Sequence, residues 1–308
     1  MKKFKFMRKF LFSLVFIVAI FGCASTGKSK DTILIEHPER MFWEIKKGDA
    51  SVFVLGTIHA ADKRFYPLEE NVLKAFDSAD RLVSELGTLD QDSMAKETAK
   101  YFLEDMNLDR EKHLQNFLTD VEQNYLVTTL GKQVEGLYVF DPWILTLMLT
   151  QISLEQAGIN HADGIDYYLM DRAKTQKRNI EALETIEFQL NLFREPSFDQ
   201  QLELLKETLA GCIKGGEKAT GEELKKLMQF YLDNNRAELG KHIYSRDVPE
   251  GLSPKTHKAF TDKMFKNRNI DWAKKFYKYL NEGGKTFVFA GAGHFVGDES
   301  VFKQMGLE

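Results

Sequence analysis

Two apolar runs in this chain each lead into the pattern Gly-x-x-His. Residues 52–55 are followed by Gly-Thr-Ile-His, which ends at His59, and residues 287–290 by Gly-Ala-Gly-His, which ends at His294. A third run, 81–84, leads directly into Glu85. Two imidazoles and one carboxylate are a common set of metal ligands in proteins, so these three residues predict a metal site.

The segments before these residues are predicted to be strands of a covered, mostly parallel sheet. Short continuous runs of β-branched and aromatic residues are typical of strands buried on both faces. A helix beginning at Pro67 separates the first run from the run that ends at Glu85, which makes a βαβ unit. Its right-handed crossover would place the carboxyl ends of both strands, and therefore His59 and Glu85, at one sheet edge.

The ligand set predicts hydrolytic chemistry. Catalytic zinc sites use three protein ligands and leave a position open, and the same set suits iron(II) or manganese. A bound divalent ion lowers the pKa of water and polarises a carbonyl, which favours attack on a peptide or an ester. The glycine three residues before each histidine lets the chain turn sharply after the strand.

The first 22 residues are predicted to be a lipoprotein signal peptide. Five basic residues precede the apolar stretch 10–21, which is shorter than the roughly 20 residues a membrane-spanning helix needs. Gly22-Cys23 resembles a bacterial lipobox, which implies lipid attachment at Cys23, although secretion with an uncleaved anchor and an ordinary thiol remain alternatives. We expect a flexible tether over 23–40 and a membrane-anchored lipoprotein of the cell envelope, preferably of the outer membrane.

Composition and pattern place the remainder, 41–308, in one α/β (α+β) domain. The expected architecture is a central mixed, mostly parallel sheet flanked by helices, with a largely helical insertion over about 91–266. The net charge of −4 argues against a nucleic-acid partner, and two cysteines predict no disulfide framework.

Several motifs together resemble the TraB/GumN family. They are the segment 55–59, Tyr-Pro-Leu at 66–68, Ser-Glu-Leu at 84–86 and the glycine-rich segment 291–297. Further matching blocks lie at 164–166, 183–190 and 268–269. The family includes the Tiki membrane proteases, in which paired Gly-x-x-His motifs and a glutamate support metal-dependent peptide cleavage. It is also similar to a wider group that contains erythromycin esterases and ChaN, a haem-binding lipoprotein.

The resemblance implies roles for individual residues. His59, Glu85 and His294 would bind a divalent ion, which we expect to be manganese, cobalt or zinc. Glu85, Glu184 and Arg268 are candidate catalytic residues. Glu184 is a candidate ligand, general base or helix cap, and Arg268 is either an oxyanion-stabilising group or an ordinary exposed arginine.

Asp166 and Asn269 are candidate substrate-binding residues, and Asp166 has the alternative role of a carboxylate at a helix start. The leading functional hypothesis is a lipid-anchored metal-dependent hydrolase that resembles a peptidase. A haem- or metal-binding surface lipoprotein without catalysis and an accessory protein of the envelope are the alternatives.

Overall fold

The computed structural model describes residues 31–59, 61–88, 91–106, 109–156, 158, 163–245 and 247–308. Cys23 and the expected signal peptide lie outside the described residues. Six strands in the described residues form one sheet, in the order β1-β2-β3-β6-β4-β5. The strands are β1 (Thr32–Glu36), β2 (Phe42–Lys47), β3 (Ala50–Thr57), β4 (Arg81–Ser84), β5 (Ile180–Ala182) and β6 (Lys285–Gly291).

The sheet is mixed and mostly parallel, as the sequence predicts. Strand β6 pairs in parallel with β3 on one side and with β4 on the other, and β4 pairs in parallel with β5. Strands β1 and β2 continue the sheet in antiparallel pairs beyond β3. Helix α1 (Glu70–Ser78) connects β3 to β4, which confirms the predicted βαβ unit.

Ten further helices of the described residues cover the sheet or pack beside it. They are α2 (Gln91–Glu104), α3 (Asp120–Leu130), α4 (Pro142–Gln156), α5 (Ile165–Thr175), α6 (Ile186–Arg194), α7 (Phe198–Leu232), α8 (Arg236–Ile243), α9 (Pro254–Thr261), α10 (Arg268–Glu282) and α11 (Val301–Gln304). A π-helical turn, Asp262–Asn267, joins α9 to α10. None of the helices in the described residues combines the length and apolar character needed to cross a bilayer.

The buried apolar residues form two clusters. One surrounds the sheet and includes Trp43, Phe287 and Trp272 from β2, β6 and α10. The other lies among the helices of the middle region and includes Trp143 of α4 and Leu205 of α7. The expected helical insertion therefore has an apolar core of its own beside the sheet.

One expectation about local structure is wrong. The tether expected over 23–40 extends too far, because Thr32–Glu36 forms β1 and pairs along its whole length with β2. The helical region that follows contains one unusually long helix, since the amphipathic segments 198–209 and 222–232 both belong to α7. Packing of α7 along α4 outweighs the low helix propensity of the glycines between the two segments.

The central strand gives the first prediction. Phe287 of β6 is fully buried and packs against the rings of Phe42 and Phe76. We expect Phe287→Ala to lower the free energy of unfolding by about 3–5 kcal/mol, through lost burial and the cavity left behind. Leu103→Ala is the control, since this side chain is 71% exposed and should change stability by no more than about 0.5 kcal/mol. Denaturant unfolding measures both, and equal effects would contradict the assigned core.

Candidate functional site

Both Gly-x-x-His segments leave the sheet side by side. Strands β3 and β6 are parallel neighbours, and Thr57 is paired with Gly291 at their carboxyl ends. Glu85 follows β4, which pairs with the other side of β6. Because β6 lies between the strands that carry His59 and Glu85, the three predicted ligands meet around its end.

Gly291 marks the point at which the three side chains converge. A Cβ atom at this position would lie 3.3 Å from Oε1 of Glu85, 3.3 Å from Nε2 of His59 and 3.8 Å from Cδ2 of His294. Nε2 of His59 is itself 3.9 Å from Oε1 of Glu85. The absence of a side chain on Gly291 therefore keeps open a small space that all three residues border.

His59 is oriented by a carboxylate behind it. Its Nδ1 lies 2.8 Å from Oδ2 of Asp166, and Oδ1 of Asp166 accepts a hydrogen bond of 2.6 Å from the Thr57 hydroxyl. Burial alone would lower the pKa of His59, but the charge and hydrogen bond of Asp166 raise that pKa above its ordinary value. Because the Asp166 carboxylate can only accept, neutral His59 carries its proton on Nδ1. The lone pair of Nε2 then lies on the side of Glu85.

His294 is oriented in the same way by an amide. Its Nδ1 donates to Oδ1 of Asn269 at 2.6 Å, and its ring lies 4.2 Å from the ring of Trp272. Burial, followed by the positive charge of Arg268, holds the pKa of His294 well below its ordinary value. The imidazole is therefore neutral near pH 7 and has its Nε2 lone pair unprotonated.

Tyr244, which the sequence analysis did not single out, completes the support of His294. Its hydroxyl donates to the carbonyl oxygen of Gly293 at 2.8 Å and accepts a hydrogen bond of 3.3 Å from Nδ2 of Asn269. These contacts fix which end of the Asn269 amide faces His294. No sequence motif marks this tyrosine, because it is brought to the site by the position of α8.

Arg268 joins Glu85 to Glu184 beneath this space. Its Nη2 donates to Oε2 of Glu85 at 2.7 Å and to Oε2 of Glu184 at 2.8 Å, while its Nε donates to Oε1 of Glu184 at 3.0 Å. Glu184 also accepts a hydrogen bond of 2.6 Å from the Trp272 indole. All three ionic side chains are at most 3% exposed, so the cluster is buried.

The structure selects among the roles considered for these residues. Arg268 is not an ordinary exposed arginine, since only 2% of its side chain is exposed. Glu184 does not cap the next helix, because the Thr185 hydroxyl accepts from the amide of Phe188 and caps α6. Burial raises the pKa of Glu184 in spite of the nearby Arg268.

Asp166 and Asn269, the candidate substrate-binding residues, are almost inaccessible. Their exposed fractions are 1% and 0%, and each lies behind one histidine on the side away from Gly291. Asp166 is also in the first turn of α5, as its alternative role predicts. This placement favours positioning of His59 and His294 over direct contact with a substrate.

A cavity of about 270 Å³ opens above the three predicted ligands. His59, Glu85, Arg268 and His294 border it on the side of the sheet. The rest of its lining comes mainly from apolar residues of α7, α8 and the π-helical turn. A small molecule or a single side chain in this cavity would therefore contact the polar cluster directly.

The donor types and charges of the cluster suit a divalent ion. Glu85, Glu184 and Asp166 carry three formal negative charges against the single positive charge of Arg268, so two negative charges remain when both imidazoles are neutral. In the described part of the chain, no three His, Cys, Asp or Glu side chains already form a metal-binding group. Binding would require Glu85 and the two imidazoles to move toward the space beside Gly291.

Comparisons with known proteins agree with the motifs. The model of the TraB/PrgY/gumN family matches residues 41–306. An uncharacterized protein of Treponema pallidum (strain Nichols) is 32% identical over 304 residues, which cover 96% of this chain and 89% of the relative. No solved structure matches the chain.

A second relative is more distant. The uncharacterized protein YbaP of Escherichia coli (strain K12) is 25% identical over 256 residues, which cover 82% of this chain and 87% of YbaP. YbaP of Shigella flexneri shows the same identity and coverage. The similarity thus extends over most of the length of each relative.

The buried ion cluster gives the second prediction. We expect Arg268→Met to lower the free energy of unfolding by about 3–5 kcal/mol, because it leaves two buried carboxylates without their shared cation. Adding Glu184→Gln should restore part of this loss, since the two changes affect one network. Arg64→Met is the matched control, because Arg64 and its partner Asp62 are 51% and 43% exposed and their ion pair should contribute at most about 1 kcal/mol. Chemical denaturation that finds equal costs for the two arginines would contradict the role of Arg268.

Proposed function

This chain belongs to the TraB/PrgY/gumN family, and we propose that it is a metal-dependent hydrolase of peptides whose divalent ion is bound by His59, His294 and Glu85. The observation that carries the proposal is the convergence of these three side chains around Gly291. They come from the ends of three adjacent parallel strands, where functional residues of such sheets commonly lie.

The hydrogen bonds of both histidines support the proposal. Histidines that bind metals usually donate their other ring N–H to a carboxylate or carbonyl group, which fixes the tautomer and the ring orientation. His59 has this relation to Asp166, and His294 has it to the amide oxygen of Asn269. Both Nε2 atoms are therefore suited to be ligands, and the set of two imidazoles and one carboxylate suits zinc, manganese or cobalt.

When bound, a divalent ion would supply a water of lowered pKa and would polarise the substrate carbonyl. The protein contributes the arrangement of groups around them. Arg268 holds Oε2 of Glu85, so that Oε1 is directed toward His59 and Gly291. Glu85 is thus placed either as the third ligand or as the base that takes a proton from the attacking water.

Glu184 is proposed as a positioning residue and not as a ligand. It is absent from the lining of the cavity, which includes Glu85, and its two oxygens accept hydrogen bonds from Arg268, Trp272 and Gln189. Its negative charge helps to retain Arg268 in the interior, and Arg268 in turn fixes Glu85.

The size of the cavity favours a peptide side chain over haem. Its 270 Å³ lies below the roughly 300–1,000 Å³ typical of sites for drug-sized ligands, and a porphyrin would have to push the walls apart. Binding of a metal without catalysis and an accessory role in the envelope are the remaining alternatives, and turnover assays separate both from hydrolysis.

The third prediction uses Gly291. Its φ of −49° is allowed for alanine, yet the added Cβ would enter the space between Glu85 and His59. We expect Gly291→Ala to lower affinity for manganese, cobalt or zinc at least tenfold and to abolish metal-dependent peptide cleavage, with little change in unfolding temperature. Gly211→Ala is the control, since a Cβ there meets no atom within 4 Å.

Titration calorimetry and a peptide-library assay by mass spectrometry measure the two effects. Wild-type affinity in Gly291→Ala would contradict the assigned metal site. A wild-type chain that binds the ion but cleaves no peptide in the library would contradict the hydrolase and leave a metal-binding protein.

We also propose that Cys23 is lipidated and attaches the protein to a membrane of the cell envelope, preferably the outer membrane. The supporting features are the basic start, the short apolar stretch and the Gly-Cys pair in the first 23 residues. The fourth prediction is that cells fed an alkyne fatty acid label the wild-type protein and do not label Cys23→Ser. Cys212→Ser is the control and should retain the label, because Cys212 is buried. Undiminished label in Cys23→Ser would contradict the proposal.

A further inference from the structure

We propose that the cavity above His59 and His294 selects one uncharged, apolar side chain of the peptide substrate, an inference that rests on the proposed function. The cavity borders Glu85 and both histidines on the side of the sheet. A side chain bound in it would therefore belong to a residue next to the carbonyl that is attacked.

Two helices supply most of the opposite wall. Leu227 and Tyr231 lie four residues apart on α7, and Leu239 and Ile243 lie four residues apart on α8. Residues with this spacing are on the same face of a helix, so each helix presents a continuous apolar strip. The hydroxyl of Tyr231 donates to the carbonyl oxygen of Gly56 at 2.7 Å, so this group is already engaged away from a ligand.

The π-helical turn supplies the remaining apolar wall through Met264 and Phe265. Phe265 also packs against His294, with 5.4 Å between the ring centroids. The wall of the cavity is therefore continuous with the support of a proposed ligand. Single-turn π segments within helices are frequent at functional sites.

The charges of the lining favour an apolar occupant. Among the described residues that line the cavity, all those from α7, α8 and the π-helical turn are uncharged. The ionic groups Glu85 and Arg268 are paired with each other on the side of the sheet. A lysine or glutamate head group placed against the apolar wall would lose hydration, and no residue of that wall carries a charge that could pair with it, which is costly.

The dimensions accommodate a large apolar side chain. The volume of about 270 Å³ lies just below the roughly 300 Å³ at which sites for drug-sized ligands begin. The wall is tightly packed at Gly293, where an added Cβ would lie 3.0 Å from Phe265 and 3.1 Å from Ile243. A leucine or phenylalanine side chain therefore fits within the cavity.

The test measures binding without requiring cleavage. The probes are blocked tripeptides, acetyl-Ala-X-Ala-amide, in which X is Leu, Lys or Glu. Binding to the full chain in EDTA is followed by NMR, and cleavage is followed separately after an ion is restored. We expect the wild type to bind the Leu probe at least tenfold more tightly than the Lys or Glu probe.

Two variants place opposite charges on the wall. Leu227→Glu should lower the affinity for the Leu probe and raise the affinity for the Lys probe at least tenfold above that of the wild type. Ile243→Lys should raise the affinity for the Glu probe by the same factor. The second variant remains informative if the first does not fold. Leu103→Glu is the matched control, because this exposed leucine of α2 is not among the residues that line the cavity, and its substitution should leave all three affinities unchanged.

The outcomes separate the two proposals. Equal binding of the three probes by the wild type, or no binding of the Leu probe, would contradict the proposed selectivity of the cavity. Charge variants that fold but keep the wild-type preference would contradict the same proposal. Selective binding of the Leu probe, with no cleavage after any divalent ion is added, would support the selectivity of the cavity and contradict the proposed hydrolase activity.

Discussion

The guanidinium of Arg268 lies between two buried carboxylates, and the geometry of the whole site depends on this contact. Removing ions from water costs several kcal/mol for each one, so such a cluster persists only when its geometry and hydrogen bonds are satisfied. Arg268 begins α10, whereas Glu85 and Glu184 follow β4 and β5. The ion pairs therefore tie the start of one helix to the carboxyl ends of two strands, next to Gly291.

The same segment of chain connects the polar side of the cavity, at the sheet, to its apolar wall. The π-helical turn Asp262–Asn267 comes directly before Arg268, and it places Phe265 against the ring of His294. Asn269, the residue after Arg268, holds the same histidine through its amide oxygen. One short segment of chain thus fixes Glu85, orients His294 and contributes to the surface that we propose contacts the substrate.

The sequence predicts the convergence of His59, Glu85 and His294 because it depends on regular features. Apolar runs identify the strands, and a right-handed crossover fixes the edge at which parallel strands end. The family resemblance adds Arg268 and Glu184, and the structure places both beside Glu85. The insertion of β6 between β3 and β4 follows from long-range packing, which no local pattern reveals.

The residues that hold the histidines and line the cavity are harder to predict, since their positions depend on how helices far apart in the sequence pack together. Tyr244, Leu227 and Ile243 have ordinary surroundings in the sequence. Only the packing of α7 and α8 brings Leu227 and Ile243 to the cavity and Tyr244 to Gly293 and Asn269.

The central claim, that His59, His294 and Glu85 bind a divalent ion, is tested most directly by anomalous diffraction from crystals grown with manganese. The account predicts one peak within about 2.0–2.5 Å of Nε2 of His59, Nε2 of His294 and an oxygen of Glu85. Crystals with both histidines ordered and no anomalous peak beside Gly291, or a peak bound by other residues, would contradict it.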